Sequence, residues 1–516
     1  MTRWLSVTAA LALLALPVSA HAEWRRAESE HFVVYGHSER SVRDYAVMLE
    51  DFDDLLRRLH GRPKDEVAPR KLPIYLVADL GELQRINPRL ERVGGVYFAA
   101  PGEVFAVAIR DAVSGDEDQN RGDDAVLHEY VHHFMLRYYP SAYPAWLVEG
   151  YAEYYMTADL GKQRLTVGGV NAGRARDLAR PGGWIPIQDV LSKAPGQLKK
   201  SEGSSYYAEA WLLTHYVVSD PERYRKLKPY LQAARETHDP VGAWKTAYGD
   251  DPDTLRKKLF AYIDHPIPAG ALPRKAGGEV EMTVTTLPAG ADDLLLEGQR
   301  MKLGVAEADR PAFLANVRKR AARAPKDRFS RLILARAETR YGDRAAGEAS
   351  LNALLAEDPK DLDALIALGE SRLAAGKATD GPQRPALYAE ASKLFGRAFK
   401  LDPDNPLVLQ DYADSRALEP VNENIVNVRL KAVQVAPQVG LYRLQAATAL
   451  LATNDPEIAK AVLLPLASSP HGGDMVEAAQ SMIKGIDEIR AKTATPGNKP
   501  AENKPAENKP EGDKKS

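Results

Sequence analysis

Five prolines place the tightest constraint on this chain. Pro325, Pro359, Pro403, Pro437 and Pro470 stand 34, 44, 34 and 33 residues apart. Each closes a run rich in Ala, Leu and Arg, and a proline cannot continue a helix because it lacks an N–H and clashes with the preceding turn. A helix breaker at that period describes helix–turn–helix units. One such pair cannot cover its own apolar face, so neighbours must stack. The 44-residue interval reads as one unit with a ten-residue insertion around Thr379–Pro385. This all-α zone spans 291–490 and holds no Trp, whereas 23–265 carries five of the six Trp and most of the Tyr.

The aromatic zone, 23–265, reads as α+β. His-Phe-Val-Val-Tyr at 31–35 and Leu-Pro-Ile-Tyr-Leu-Val at 72–77 predict short buried strands. Between them Val42, Tyr45, Leu49, Phe52 and Leu56 recur at helical spacing. Residues 94–98 and 104–109 predict two strands around a turn, and from about 123 the pattern is mostly helical. The stretch 266–290 is rich in Pro and Gly and reads as a linker, with Val280, Met282 and Val284 alternating as a short strand would. The last segment, 491–516, repeats Ala-Glu-Asn-Lys-Pro with almost nothing apolar, so it cannot offset its ordering entropy and is expected to be disordered.

Residues 1–22 place Arg3 before an apolar stretch from Val7 to Val18 and finish in Ala20-His21-Ala22, the order of a secretory signal peptide with Glu23 as the mature start. The expectation is an exported protein, in a periplasm or outside the cell, with no integral membrane segment once the signal is removed. Sixty-nine Lys+Arg against 71 Asp+Glu leave no basic face for a phosphate backbone, so no nucleic-acid partner is expected. Cysteine is absent, which excludes disulfides, thiol catalysis, Fe–S clusters and Cys-ligated zinc. Any metal must sit on His, Asp or Glu.

His128-Glu129-Tyr130-Val131-His132 supplies such donors. Two His at i and i+4 share one helix face, so both imidazoles can converge on one Zn²⁺. Glu129 is rotated about 100° from His128, where a carboxylate can reach a water at the metal. His133 is rotated about 100° from His132 and should miss the metal. Sixteen residues separate His132 from Glu149, which lies within Trp146-Leu147-Val148-Glu149-Gly150-Tyr151-Ala152.

That segment resembles the third-ligand pattern of gluzincin metallopeptidases, Trp-Leu-x-Glu-Gly-x-Ala. The resemblance implies one Zn²⁺ per chain held by His128, His132 and Glu149, a His₂Glu set that leaves a fourth position for water. It also implies a carboxylate at Glu153, one turn past Glu149, hydrogen-bonded to a ligand His. Zn²⁺ lowers the pKa of water and polarises the scissile carbonyl. Glu129 would take the water's proton and pass it to the leaving amine. Ser204-Ser205-Tyr206-Tyr207 resembles the segment that supplies an oxyanion-stabilising tyrosine in related peptidases. Tyr207 matches best, and Tyr206 is the neighbouring alternative.

With Glu30-His-Phe-Val-Val-Tyr35 and Tyr206 to Tyr216, these motifs make 23–265 similar to the peptidase MA-like family, exported gluzincins often followed by tetratricopeptide repeats. Leu368-Gly369, with Ala391, Phe395, Ala398 and Pro403, resembles the repeat pattern. Arg429 and Gly347 depart from it. The implied fold is a zincin-like α+β peptidase domain followed by TPR-like repeats. The implied function is hydrolysis of peptide or protein substrates, with the repeats recruiting a protein partner. An edge strand, 94–98 or 104–109, would hold substrate backbone. The absence of a Gly-x-Met-Glu-Asn segment favours an endopeptidase. The alternative is a non-catalytic periplasmic scaffold with a peptidase-like half.

Overall fold

The computed structural model describes residues 23–63, 70–91, 93–109, 121–161, 163–180, 182–274 and 280–494. The expected signal peptide and the tail beyond 494 lie outside these residues. Contacts divide the chain into two compact units. One comprises residues up to 130, 158–167 and 271–418; the other comprises 131–157, 168–270 and 419 onward. Both units therefore draw on residues before 265 and after 290.

The first unit is built on a six-stranded sheet. β1 (Arg25–Glu28), β2 (Phe32–Gly36), β3 (Leu72–Val77), β4 (Gly95–Ala100), β5 (Glu103–Ile109) and β9 (Thr283–Thr286) lie in the order β4-β5-β3-β2-β1-β9. β2, β3 and β5 run parallel, and the remaining pairings are antiparallel. A smaller sheet joins β6 (Asp159–Leu160), β7 (Arg164–Val167) and β8 (Gly270–Pro273). The Ser38 side chain accepts from the Ser41 N–H and so starts α1 (Glu39–Leu59). The predicted stripe Val42, Tyr45, Leu49, Phe52 and Leu56 is fully buried. Each such side chain contributes about 1.5–3 kcal/mol of apolar burial.

Another core joins Trp24, Tyr75, Phe105 and Val107 to α2 (Leu80–Ile86) and α11 (Ala289–Leu303), which inserts Ala291, Leu295 and Leu296. Arg85 of α2 locks α11 in place, donating to Glu297 Oε2 at 2.8 Å and to the Asp293 carbonyl at 2.9 Å. The stretch read as a linker thus supplies the sheet's edge strand β9, and the first helix of the repeat zone completes the sheet's core. Of the two candidate edge strands, 104–109 is β5, bonded on both sides by β4 and β3. It cannot accept a further strand; β4 is an edge.

α12 (Arg310–Ala321), α13 (Arg328–Tyr341), α14 (Arg344–Glu357), α15 (Leu362–Lys377), α16 (Arg384–Leu401) and α17 (Pro406–Asp414) continue the first unit as stacked helix pairs. Asp327, Asp343, Asp361 and Asn405 cap α13, α14, α15 and α17 through their side chains. Asp361 also accepts from Arg328 Nε at 2.8 Å, joining one pair to the next. Pro325, Pro359 and Pro403 each follow the second helix of a pair. The longer 44-residue interval is absorbed differently from the expected single insertion: α15 has 16 residues and α16 has 18, against 14 each in α13 and α14, and residues 378–383 form a longer turn. Gly369 packs on Phe395, where a Cβ would stand 2.7 Å from the ring.

In the second unit, α4 (Ala145–Tyr155), α5 (Ala172–Ala179), α6 (Ile187–Ser192), α7 (Gly203–Val218), α8 (Pro221–Thr237), α9 (Pro240–Tyr248) and α10 (Pro252–Ile263) surround a core of Trp146, Tyr206, Trp211, Tyr230 and Trp244. α18 (Glu423–Val435), α19 (Gly440–Ala452), α20 (Pro456–Ala467) and α21 (Asp474–Ala494) form a helical array cored by Val426, Ala447, Leu450, Leu463 and Ala479. Pro437 and Pro470 follow α18 and α20. α3 (Arg121–Tyr138) is one continuous helix, and the division between units falls within it. Among the described residues no helix is long and apolar enough to cross a membrane.

Candidate metal centre

The His-Glu-x-x-His segment lies on α3, with His128 and Glu129 half-buried and His132 buried. In the first unit, Tyr130 turns the other way and donates its hydroxyl to Asp53 Oδ1 at 2.6 Å, tying α3 to α1. Asp53 also accepts from Arg57 Nε at 2.5 Å, and His31 Nδ1 meets Glu50 Oε2 at 2.7 Å. Burial disfavours a charged His31, but the bond to Glu50 and the charges of Asp53 and Glu50 outweigh it and raise its pKa. His31, Glu50 and Asp53 also offer converging donor atoms. With Arg57 and Tyr130 already bonded to Asp53, this cluster reads as the ion-pair network that seats α3.

Glu149 comes from α4 and is completely buried. Its burial follows from α4's packing on α7, which Gly150 permits: a Cβ there would stand 2.9 Å from the Ala210 carbonyl carbon and nearer still to its oxygen and to Thr214 Oγ1. Trp146 fixes the same helix, donating from Nε1 to the Tyr230 hydroxyl at 3.0 Å. The Glu-Gly pair thus has a packing reason as well as a chemical one.

His132 Nε2 and Glu149 Oε2 are 3.5 Å apart. Two ligands on one tetrahedral zinc with bonds of about 2.0–2.1 Å stand about 3.3–3.4 Å from each other, so this spacing fits a shared ion. One turn earlier on α3, His128 completes the set: His128, His132 and Glu149 each offer one ligand atom, all within 4.8 Å of one another. Two neutral imidazoles and one carboxylate are the donor chemistry of a catalytic zinc site. His133 is not part of the set. It is buried, its carbonyl accepts from Gln438 Nε2 at 3.3 Å, and burial with Arg137 nearby drives its pKa down to about 3.

Glu153, expected to brace a ligand histidine, is buried and held by a residue the sequence reading did not single out. Arg174 of α5 grips it through both oxygens, at 2.7 and 2.5 Å. Burial opposes the Arg174 charge, but Glu153, then Tyr207 and Glu149, outweigh it and raise the guanidinium's pKa. The Arg174 guanidinium also lies 5.2 Å over the Tyr207 ring. The two tyrosines now separate. Tyr206 is a core residue whose hydroxyl donates to the Lys193 carbonyl at 2.9 Å. Tyr207 is half-buried, beside the Arg174 that neutralises Glu153.

A second residue missed by sequence is His471, on the turn between α20 and α21. Its ring centroid is 5.2 Å from that of His132, edge-on, and its Nδ1 is 3.8 Å from Glu149 Oε1. Both histidines line one cavity with Met135, Val148 and Arg443. No local pattern marks Arg174 or His471; each acquires its place from tertiary packing.

No protein-family model matches this chain. No curated protein matches it. Among solved structures, the chain is similar to a thermophilic TPR protein, TTC0263 of Thermus thermophilus, at 18% identity and a TM-score of 0.33, over 38% of this chain and 100% of that one. A likeness at that TM-score carries no argument, so the helical pairs stand on their own geometry.

Proposed function

We propose that this chain is an exported zinc-dependent metallopeptidase of gluzincin type that hydrolyses peptide bonds within protein substrates. The observation that carries this reading is that His128, His132 and Glu149, from two helices, bring ligand atoms within 4.8 Å of one another, with Glu129 next to His128 on the helix. Zinc bound there would supply Lewis-acid polarisation of the scissile carbonyl and a water acidic enough to react near neutral pH. Glu129 accepts that water's proton and returns it to the leaving amine. Arg174 holds Glu153 in place through both carboxylate oxygens. Tyr207 stabilises the developing oxyanion. The helical pairs, read as TPR-like, bind a protein partner or present the substrate, and β4 offers an open edge for substrate backbone.

Substituting Glu129 tests the chemistry. Glu129→Gln should retain zinc and lose most cleavage of an unfolded protein substrate, because an amide cannot accept the proton. Full activity in a zinc-loaded Glu129→Gln protein would overturn the assignment. The helical pairs favour a second reading, a zinc-holding scaffold without turnover, which predicts no cleavage by the wild type under the same conditions.

A further inference from the structure

The turn that follows the last proline of the repeat series brings a third imidazole to the candidate zinc site. Within the second unit, His471 stands 3.8 Å from Glu149 Oε1 and its ring is 5.2 Å from the His132 ring, at an interplanar angle of 80°. Two imidazoles bound to one tetrahedral zinc, with Zn–N of about 2.05 Å, have ring centroids about 5.2 Å apart. The ring separation of His471 from His132 is thus that of two ligands of one ion, although the donor atoms that lie within 4.8 Å of one another are those of His128, His132 and Glu149 alone, so the His471 ring must turn inward to bind. Its Nδ1 faces the other Glu149 oxygen, Oε1, from the one that His132 approaches.

Pro470 is buried on one side of His471, while Gly472 and Gly473 on the other adopt φ of +66° and +93°, a region that costs other residues strain. A side chain anchored at one end and followed by two glycines can swing without disturbing α20 or α21. His471 is 52% exposed, so solvent or a binding partner can reach it.

We propose that His471 is a displaceable fourth ligand, a cap by which the C-terminal helical array closes the zinc site on the chain's own imidazole. The proposal rests on the zinc reading above. With His471 bound, the fourth position is closed to water and the site is latent. Displacement of the 468–473 turn, by a partner bound to α20 and α21, opens it. The helical array thereby acquires a role in control as well as in recruitment.

The test is X-ray absorption on the full-length protein loaded with one equivalent of Zn²⁺, in which multiple scattering counts imidazole ligands. The wild type should show three, and His471→Ala two, with a Zn²⁺ dissociation constant raised on the order of tenfold. His471→Gln should match His471→Ala, and unchanged thermal unfolding of either variant shows that the fold is intact. Two imidazoles in wild type and variants alike, with equal affinity, would overturn the cap and leave the His₂Glu site standing. Failure of all three proteins to bind Zn²⁺ would overturn the zinc reading itself, and the cap with it.

Discussion

Gly150 is where packing and chemistry meet, and Gly150→Ala should separate α4 from α7. The new methyl would lie 2.9 Å from the Ala210 carbonyl carbon. Carbon atoms pack at about 3.5–4.0 Å, so the helices must part by at least about 0.6 Å. Beside the Thr214 side chain the obstruction is the Ala210 carbonyl, backbone that cannot rotate away. Overpacking of this kind typically costs about 1–3 kcal/mol. With both neighbours rigid we expect the upper end, about 3 kcal/mol. For a unit of this size each kcal/mol lowers the melting temperature by about 2–4 °C, which predicts a drop of roughly 6–12 °C. Glu149 precedes Gly150 and moves with it, so Zn²⁺ affinity should fall in parallel. Differential scanning calorimetry with zinc titration reads both. Gly485→Ala is the control: it lies inside α21 with nothing within 4 Å of an added Cβ, and should be neutral or stabilising by about 0.5–1 kcal/mol. A Gly150→Ala protein that melts with the wild type would refute the close-approach argument.

Arg174→Ala strips the partner from a buried carboxylate, so stability should fall by about 3–5 kcal/mol in chemical denaturation, with Arg174→Lys intermediate because it cannot bridge both oxygens. A near-neutral Arg174→Ala would mean Glu153 is neutralised elsewhere. Leu296→Ala in α11 should cost about 2–5 kcal/mol, since Leu296 is fully buried with Trp24, Tyr75 and Phe105. If α11 belonged to a separate repeat domain, the sheet's near-ultraviolet aromatic signal would survive that substitution at temperatures where the helices melt. Tyr206→Phe removes a hydroxyl bonded to the Lys193 carbonyl and should cost about 1 kcal/mol of stability with little effect on turnover. Tyr207→Phe should keep stability and zinc but lower kcat by about 10²–10³; the reverse pattern would exchange their roles.

Elements whose stability is local were readable from sequence. The strands at 31–35 and 72–77 appear as β2 and β3 within a residue, because each is a short apolar run bounded by polar or turn residues. α1 follows its apolar stripe, and the five spaced prolines each fall in the connection just after a helix, where a missing N–H costs least. What sequence did not disclose depends on partners far along the chain. β1, Arg-Arg-Ala-Glu, has no strand pattern of its own and exists because β2 and β9 bond to both its sides. α11 reads in sequence like another repeat helix, and its contact with α2 and Trp24 is what assigns it to the sheet. At the candidate site, the i, i+4 histidines follow from helix geometry, and the Glu-Gly pair from a motif. Arg174 lies 21 residues from Glu153, and His471 is 339 residues from His132. Neither distance leaves a trace in local spacing.

The central claim is that α3 and α4 hold one metal ion, and elemental analysis of the purified full-length protein after incubation with Zn²⁺ and exhaustive dialysis tests it most directly. One zinc per chain in the wild type, with loss in His128→Ala and in Glu149→Ala while both remain folded by circular dichroism, is the predicted result. No zinc in the wild type, or stoichiometric zinc retained in both variants, would contradict it.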